Sequence, residues 1–181
     1  MKIFQKNLMA SEDIQSFLGT GVFYNGDELA EIHDGAAVVI GDIEAHSVYN
    51  NLKDVNVRKI TAPTSVTDKV AIVDYVNRSE GEIMGNLYRE GYQTAGLVAP
   101  AGKQVRYRIL KEQDSFYLGT DNFEGTPVVG KYAIPTVDST LWTITDEKAT
   151  EGVCLKIETT KPLTEGAVNT DTLYFCTVVV A

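Results

Sequence analysis

The chain has 181 residues, a formal charge of −9 and a hydrophobic content of 44%. It is long enough to bury a core without disulfides or metals, too apolar for a disordered segment, and too acidic for a surface that neutralises phosphates. No apolar run reaches the roughly 18 residues of a membrane-spanning helix, and Lys2 and Lys6 are not followed by the apolar stretch of a secretory signal. The sequence therefore predicts a product made and kept in a cytoplasm, with neither nucleic acid nor membrane as partner.

Residues 11–18 (SEDIQSFL) carry a helical signature. Ser11 is placed to cap, Glu12 and Asp13 suit the positive end of the dipole, Ile14, Phe17 and Leu18 share a face, and Gly19 ends the run. A helix this short does not stand alone, so it must dock on its own body or on a neighbour. The chain is read as an N-terminal arm with a short helix, 1–20, followed by a β-rich body, 21–181.

From Gly21 onward the pattern is that of strands. Asn25-Gly26 is a hairpin dipeptide, and His33-Asp34-Gly35 is a second turn before AAVVIGD. VRKI at 57–60 ends at Thr61-Ala62-Pro63, residues 68–76 predict a half-buried strand, and 81–102 predicts a loop with short strands. After Lys103, Val105, Tyr107 and Ile109 alternate with Gln104, Arg106 and Arg108. A tight turn at Lys111 to Asp114 leads to runs at 114–119, 126–135, 140–145, 153–159 and 172–180. The last is apolar on both faces, as a central strand is, or one sealed beneath another subunit. These spacings predict a mainly β fold, an antiparallel sandwich or barrel with one short N-terminal helix and arm.

Chemistry is sparse. His33 and His46 have no second His or Cys at metal-ligand spacing and are expected as solvated or hydrogen-bonded surface residues. Cys154 and Cys176 sit in apolar runs and are expected as buried free thiols, the alternative being a bridge across one hairpin. Gly19-Thr20-Gly21 lacks the third glycine of a dinucleotide fingerprint, and no Gly-x-Ser-x-Gly occurs. Gly81 to Gly85 is a small-xxx-small spacing outside an apolar helix, and Asn77-Arg78-Ser79 is a glycosylation sequon without relevance in a cytoplasm.

Asp121, Asn122 and Glu124 crowd oxygen ligands between glycines, yet without calcium-loop spacing they read as a turn that satisfies its own backbone. Carboxylate pairs such as Asp68/Asp74 and Glu28/Glu31 are not placed across a cleft by sequence. Phe116, Tyr117, Phe123, Tyr132 and Trp142 read as core or interface, with a sugar-binding platform as the alternative. The basic cluster Lys103, Arg106, Arg108 and Lys111 is short and followed by acids. No residue is assigned a catalytic, cofactor or metal role, and the expectation is a non-enzymatic protein.

The order of three blocks, DGAAVVIGD, VAIVDYV, and AGLVAPAGKQVRYRILKEQDSFYLGTDNF leading to VVGKYA, resembles the capsid decoration (auxiliary head) proteins of tailed bacteriophages over residues 34–135. The resemblance implies a β-rich body on the outer face of a capsid lattice, made in the host cytoplasm and carried on the virion. It also implies a homo-oligomer, often a trimer, with an N-terminal arm reaching over neighbouring coat subunits and the major capsid protein as partner. A carbohydrate- or host-surface-binding β module is the alternative.

Overall fold

The computed structural model describes residues 2–13, 17–43, 57–75, 98–165 and 168–181. Of these, 57% lie in strands and 5% are helical, so the fold is mainly β, with several antiparallel sheets.

The first sheet is built largely from the C-terminal half. Its order begins with β1 (Phe4–Leu8), β10 (Ser115–Gly119), β15 (Val168–Val180) and β14 (Cys154–Glu165). It continues through β12 (Tyr132–Pro135) and β13 (Trp142–Thr145) to the two-residue β11 (Phe123–Glu124). The last strand is central in the sheet, flanked by β10 and β14; Cys176 and Val178 face the core, while Phe175 and Val179 on its other face are half buried.

The second sheet holds β2 (Leu18–Asn25), β3 (Glu28–Leu29), β5 (Ala37–Ile43), β6 (Val57–Thr61), β7 (Val70–Asp74) and β9 (Val105–Ile109). Its order is β3-β2-β6-β5-β7-β9, and β9 pairs back onto β2, so five of these strands form a closed ring of pairings. All of those pairings are antiparallel except β2–β6. Asn25-Gly26 makes the expected hairpin turn, Gly26 taking φ +64° where an L side chain is strained. A third, two-stranded sheet pairs β4 (Ile32–His33) with β8 (Val98–Ala99), which lies in the described part, 98–102, of the stretch read as loop with short strands.

Two cores result, and β5 and β7 divide their side chains between them. Val38, Ala71 and Val73 join Phe23, Ile60, Val105 and Tyr107 in one cluster. Ala37, Val70 and Ile72 join Phe116, Leu118, Trp142, Leu155 and Val178 in the other. Residues 68–76, read as half buried, thus contain a strand buried on both faces, because the first sheet covers the side turned away from the ring. Alternating strands reach into both clusters only if both sets of positions are apolar, as VAIV is.

The helix read at 11–18 is not seen: α1 (Ala10–Asp13) begins one residue earlier, residues 14–16 lie outside the described residues, and Leu18 already belongs to β2, opposite Arg108 of β9. Cross-strand pairing with β9 takes the chain that local helical preference would have continued. Ser11 does not cap; its hydroxyl accepts a hydrogen bond from Arg108, and Asp114 accepts the N–H of Ala10.

The stretch read as an arm is joined to both sheets: β1 pairs with β10 along the sheet edge, Ile3, Phe4 and Met9 are buried, and Leu18 to Thr20 open β2. Deleting residues 1–9 is expected to lower the stability of the remaining chain by roughly 4 kcal/mol or more, from the loss of three buried apolar side chains. A shift of the chemical denaturation midpoint to lower denaturant checks this; an unchanged midpoint would show that the strand carries no weight in the fold.

Candidate functional site: a buried polar junction

Among the described residues, a dense set of buried polar contacts lies where the two sheets meet, around the turn His33-Asp34-Gly35. Gly35 takes φ +72°, and a Cβ there would fall 2.6 Å from Asn122 Nδ2 and 2.9 Å from Leu118 Cδ2, so only glycine fits. Asp34 is 2% exposed. Its Oδ2 accepts the N–H of Phe4 and its Oδ1 the N–H of Tyr75, each at 2.8 Å. Asn122 completes the junction: Oδ1 accepts the N–H groups of Ile3 and Gly119, and Nδ2 donates to the carbonyl of Asp34 at 2.8 Å. Trp142 Nε1 donates to the carbonyl of Gly35. Four separate stretches of chain are thereby fixed to one turn.

His33 is a correction to the sequence reading. It is only 8% exposed, with Nδ1 3.1 Å from the carbonyl oxygen of Asp34 and Nε2 2.9 Å from Thr140 Oγ1. A carbonyl only accepts, so Nδ1 carries the proton and Nε2 accepts from the Thr140 hydroxyl. A hydroxyl on the free nitrogen of an oriented imidazole is the arrangement of a nucleophile and its base. Burial, however, pushes the pKa of His33 down to about 4, against the hydrogen bond to Asp34. A base that weak draws little proton from a hydroxyl at neutral pH. The pair ties the approach to β13 onto the turn.

A second buried contact crosses from β9 to β7 and α1. Arg108 shares with Arg106 the strand face opposite Val105 and Tyr107; Arg106 is exposed there, whereas Arg108 is covered and 2% exposed. Its Nε and Nη2 both reach Asp74 Oδ2 at 2.7 Å, and Nη1 donates to Ser11 Oγ at 2.9 Å. The alternation of the strand was right, and the docking of α1 against it decided the environment. Of the basic cluster, Lys103, Arg106 and Lys111 remain at the surface, and Lys111 lies over the ring of Phe17.

The other candidates do not gather. Cys154 and Cys176 are free and buried, opposite Val180 and Ile157 in the β14–β15 ladder, and burial pushes both thiols up, away from nucleophilic character. Asn122 is occupied by the junction, Glu124 accepts from Thr143, and Asp121 is exposed. Asp68 is used by Thr64 and Ser65 in its own turn, Asp74 belongs to Arg108, and Glu28 and Glu31 are exposed. Phe116, Phe123 and Trp142 are core, leaving no ring face for a sugar, while Tyr117 and Tyr132 are half buried. Among the described residues no three of His, Cys, Asp and Glu are grouped to hold a metal. His46, the 77–79 sequon and the 81–85 glycines lie outside the described residues.

The functional weight of Asp34 and Asn122 was hidden in the sequence, where both read as turn residues. The available signal was a short polar turn set directly against a run, AAVVI, too apolar to be covered on one face only.

Burial pushes Asp34 up to about 8, against the pull of the Phe4 and Tyr75 N–H groups, with Asp74 adding to the rise. A raised carboxyl stabilises the fold below its unfolded pKa, and that contribution is lost as pH climbs through 8. The lowered His33 stabilises above its unfolded value of 6.5, and its contribution is lost as pH falls through 4. The two slopes cancel between about pH 4 and 6.5. The junction is therefore expected to make stability fall by about 2 kcal/mol between pH 6.5 and 8. In Asp34→Asn that alkaline slope should vanish, leaving stability that rises from pH 4 to 6.5; denaturation at stepped pH reads both.

The buried ion pair gives a separate test. Asp74→Ala removes the carboxylate from a guanidinium almost wholly out of water and is expected to cost about 3–5 kcal/mol. Asp27→Ala, which breaks only the surface contact to Lys59, should leave the melting temperature unchanged. Equal effects of the two would remove the distinction.

Comparison with protein-family models, with curated proteins and with solved structures found no match to this chain.

Proposed function

We propose that this chain is a non-enzymatic virion structural protein that binds and reinforces the outer surface of a tailed-phage capsid lattice. The observation that carries the reading is where the resembling blocks fall. DGAAVVIGD forms the junction turn and β5, VAIVDYV contains β7, and VRYRIL and DSFYLGTDNF contain β9, β10 and the Asn122 turn. These elements include the two strands that both cores share, so the resembling blocks take in the framework of the fold. In this reading the closed ring of five strands is the barrel anticipated from the strand spacing, with the seven-stranded sheet packed against it as the second layer of a sandwich.

The charge agrees with such a place. A balance of −9 gives no cationic track for packaged nucleic acid and suits a body held outside the shell. The partner is the major capsid protein lattice. Many copies of one modest contact, made by an oligomer on a surface of identical sites, sum through avidity, and no single contact has to be strong.

Co-sedimentation with empty heads of the phage that encodes it, beside a DNA mobility shift at low salt, is the test. Retention on heads without a DNA shift is expected. A DNA shift without retention on heads would overturn the reading, and binding confined to a glycan array would replace it with the carbohydrate-binding alternative.

A further inference from the structure

Among the described residues, the β14–β15 ladder has an edge that is open over a short, defined window. On the side away from β15, β14 pairs with β12 only at Leu155 and Lys156. Ile157 is next, and its backbone is also used: its N–H donates to the carbonyl of Lys131 and its carbonyl accepts from Gly130, at 2.9 and 2.8 Å. Beyond Ile157, among the described residues, no strand pairs with this edge. Glu158, Thr159, Thr160 and Pro162 are exposed and Lys161 is half buried. Pro162 has no N–H to give a neighbouring strand and marks the far end of the window. The window is thus 158–162, with Thr160 at its centre.

We infer that this edge is a two-fold contact with a second copy of the chain, β14 adding antiparallel to β14. An open edge of backbone donors and acceptors selects an extended strand, and an antiparallel edge is complementary to itself about a two-fold axis normal to the sheet. An axis through Thr160 sets Thr160 opposite Thr160 of the partner subunit, and Thr159 opposite Lys161 of the partner subunit.

The side-chain faces agree with that register. Thr159 lies opposite Phe175, which lies opposite Tyr117, and the ammonium of Lys161 sits 3.8 Å from the Tyr117 ring centroid, so Thr159 and Lys161 share this face. The ladder shifts register between Ile157 and Thr159. Glu158 is thereby turned toward the same face, where its carboxylate meets Lys156 at 2.9 Å. In the paired arrangement Glu158 comes beside Lys161 of the partner subunit, and the two-fold axis makes that attraction twice. The exposed Val128 and Val129 stand on the turn clasped to Ile157, where Pro162 of the partner subunit arrives, giving the contact an apolar border.

The contact is independent of the capsid reading and is tested on the purified full chain. Sedimentation over a concentration series should show a reversible dimer. Glu158→Lys and Lys161→Glu should each weaken it by about ten-fold or more, since each converts two attractions into two repulsions. The double reversal should recover most of the loss. Within one copy Glu158 meets Lys156 and Lys161 meets Tyr117, so damage to those contacts would not be repaired by combining the changes.

Thr160→Cys supplies a second measurement. Residues directly opposite in an antiparallel pair have Cα atoms about 4.5–5.5 Å apart, within disulfide range, so mild oxidation should give a covalent dimer linked through residue 160. A chain that stays monomeric at every concentration and forms no such cross-link overturns the inference. So does an oligomer, three-fold or other, that is indifferent to both reversals, or a double reversal that recovers nothing.

Discussion

A carboxyl group that has left water must be given hydrogen bonds, and at Asp34 the donors come from stretches of chain far apart in sequence. The N–H of Phe4 lies 30 positions away and that of Tyr75 lies 41. Neither donor is available unless β1 lies along β10 and β7 ends beside the turn. The polar requirement of one side chain therefore fixes where the N-terminal strand runs and where the shared wall stops. Asn122 repeats the demand from the opposite sheet, using both ends of its amide, and a single unmet bond at either residue would cost about 1–3 kcal/mol. In a strand apolar at every position, as VAIV of β7 is, burial alone sets register weakly, whereas this junction tolerates only one.

The apolar part of the fold follows from the same wall. β5 and β7 supply alternate side chains to two clusters, so the ring and the seven-stranded sheet share two strands' worth of surface. That sharing explains why the N-terminal segment is integral: Phe4 and Met9 close the cluster between the sheets, and Phe4 meets Phe116 with ring centroids 5.4 Å apart. It also explains why Arg108 is buried. Once β9 completes the ring with Val105 and Tyr107 turned inward, its other face meets α1, and the guanidinium is accommodated because Asp74 and Ser11 are brought to it.

The distribution of polar chemistry separates interior from surface. The interior groups hold one another, with no buried side-chain nitrogen or oxygen lacking a partner among the described residues. The surface contributes acidic charge, the exposed edge of β14 at 158–162 and a few exposed valines. A body of this kind meets partners through edges and surface charge, and the capsid reading and the two-fold edge contact both draw on that outer layer.

What the sequence determined alone was whatever depends on neighbours along the chain. Alternation of Val105 and Tyr107 with Arg106, the Asn25-Gly26 turn, the Lys111 to Asp114 turn and the doubly apolar last strand were all legible, because backbone pleat and turn chemistry act over a few residues. The arrangement around Asp34 was decided by tertiary structure. Whether His33 and Arg108 face water, whether Asn122 holds a turn or a ligand, and whether Leu18 is helix or strand depend on which distant segment arrives beside them. Desolvation and cross-strand pairing exist only after the chain has closed on itself, so no local pattern carries them.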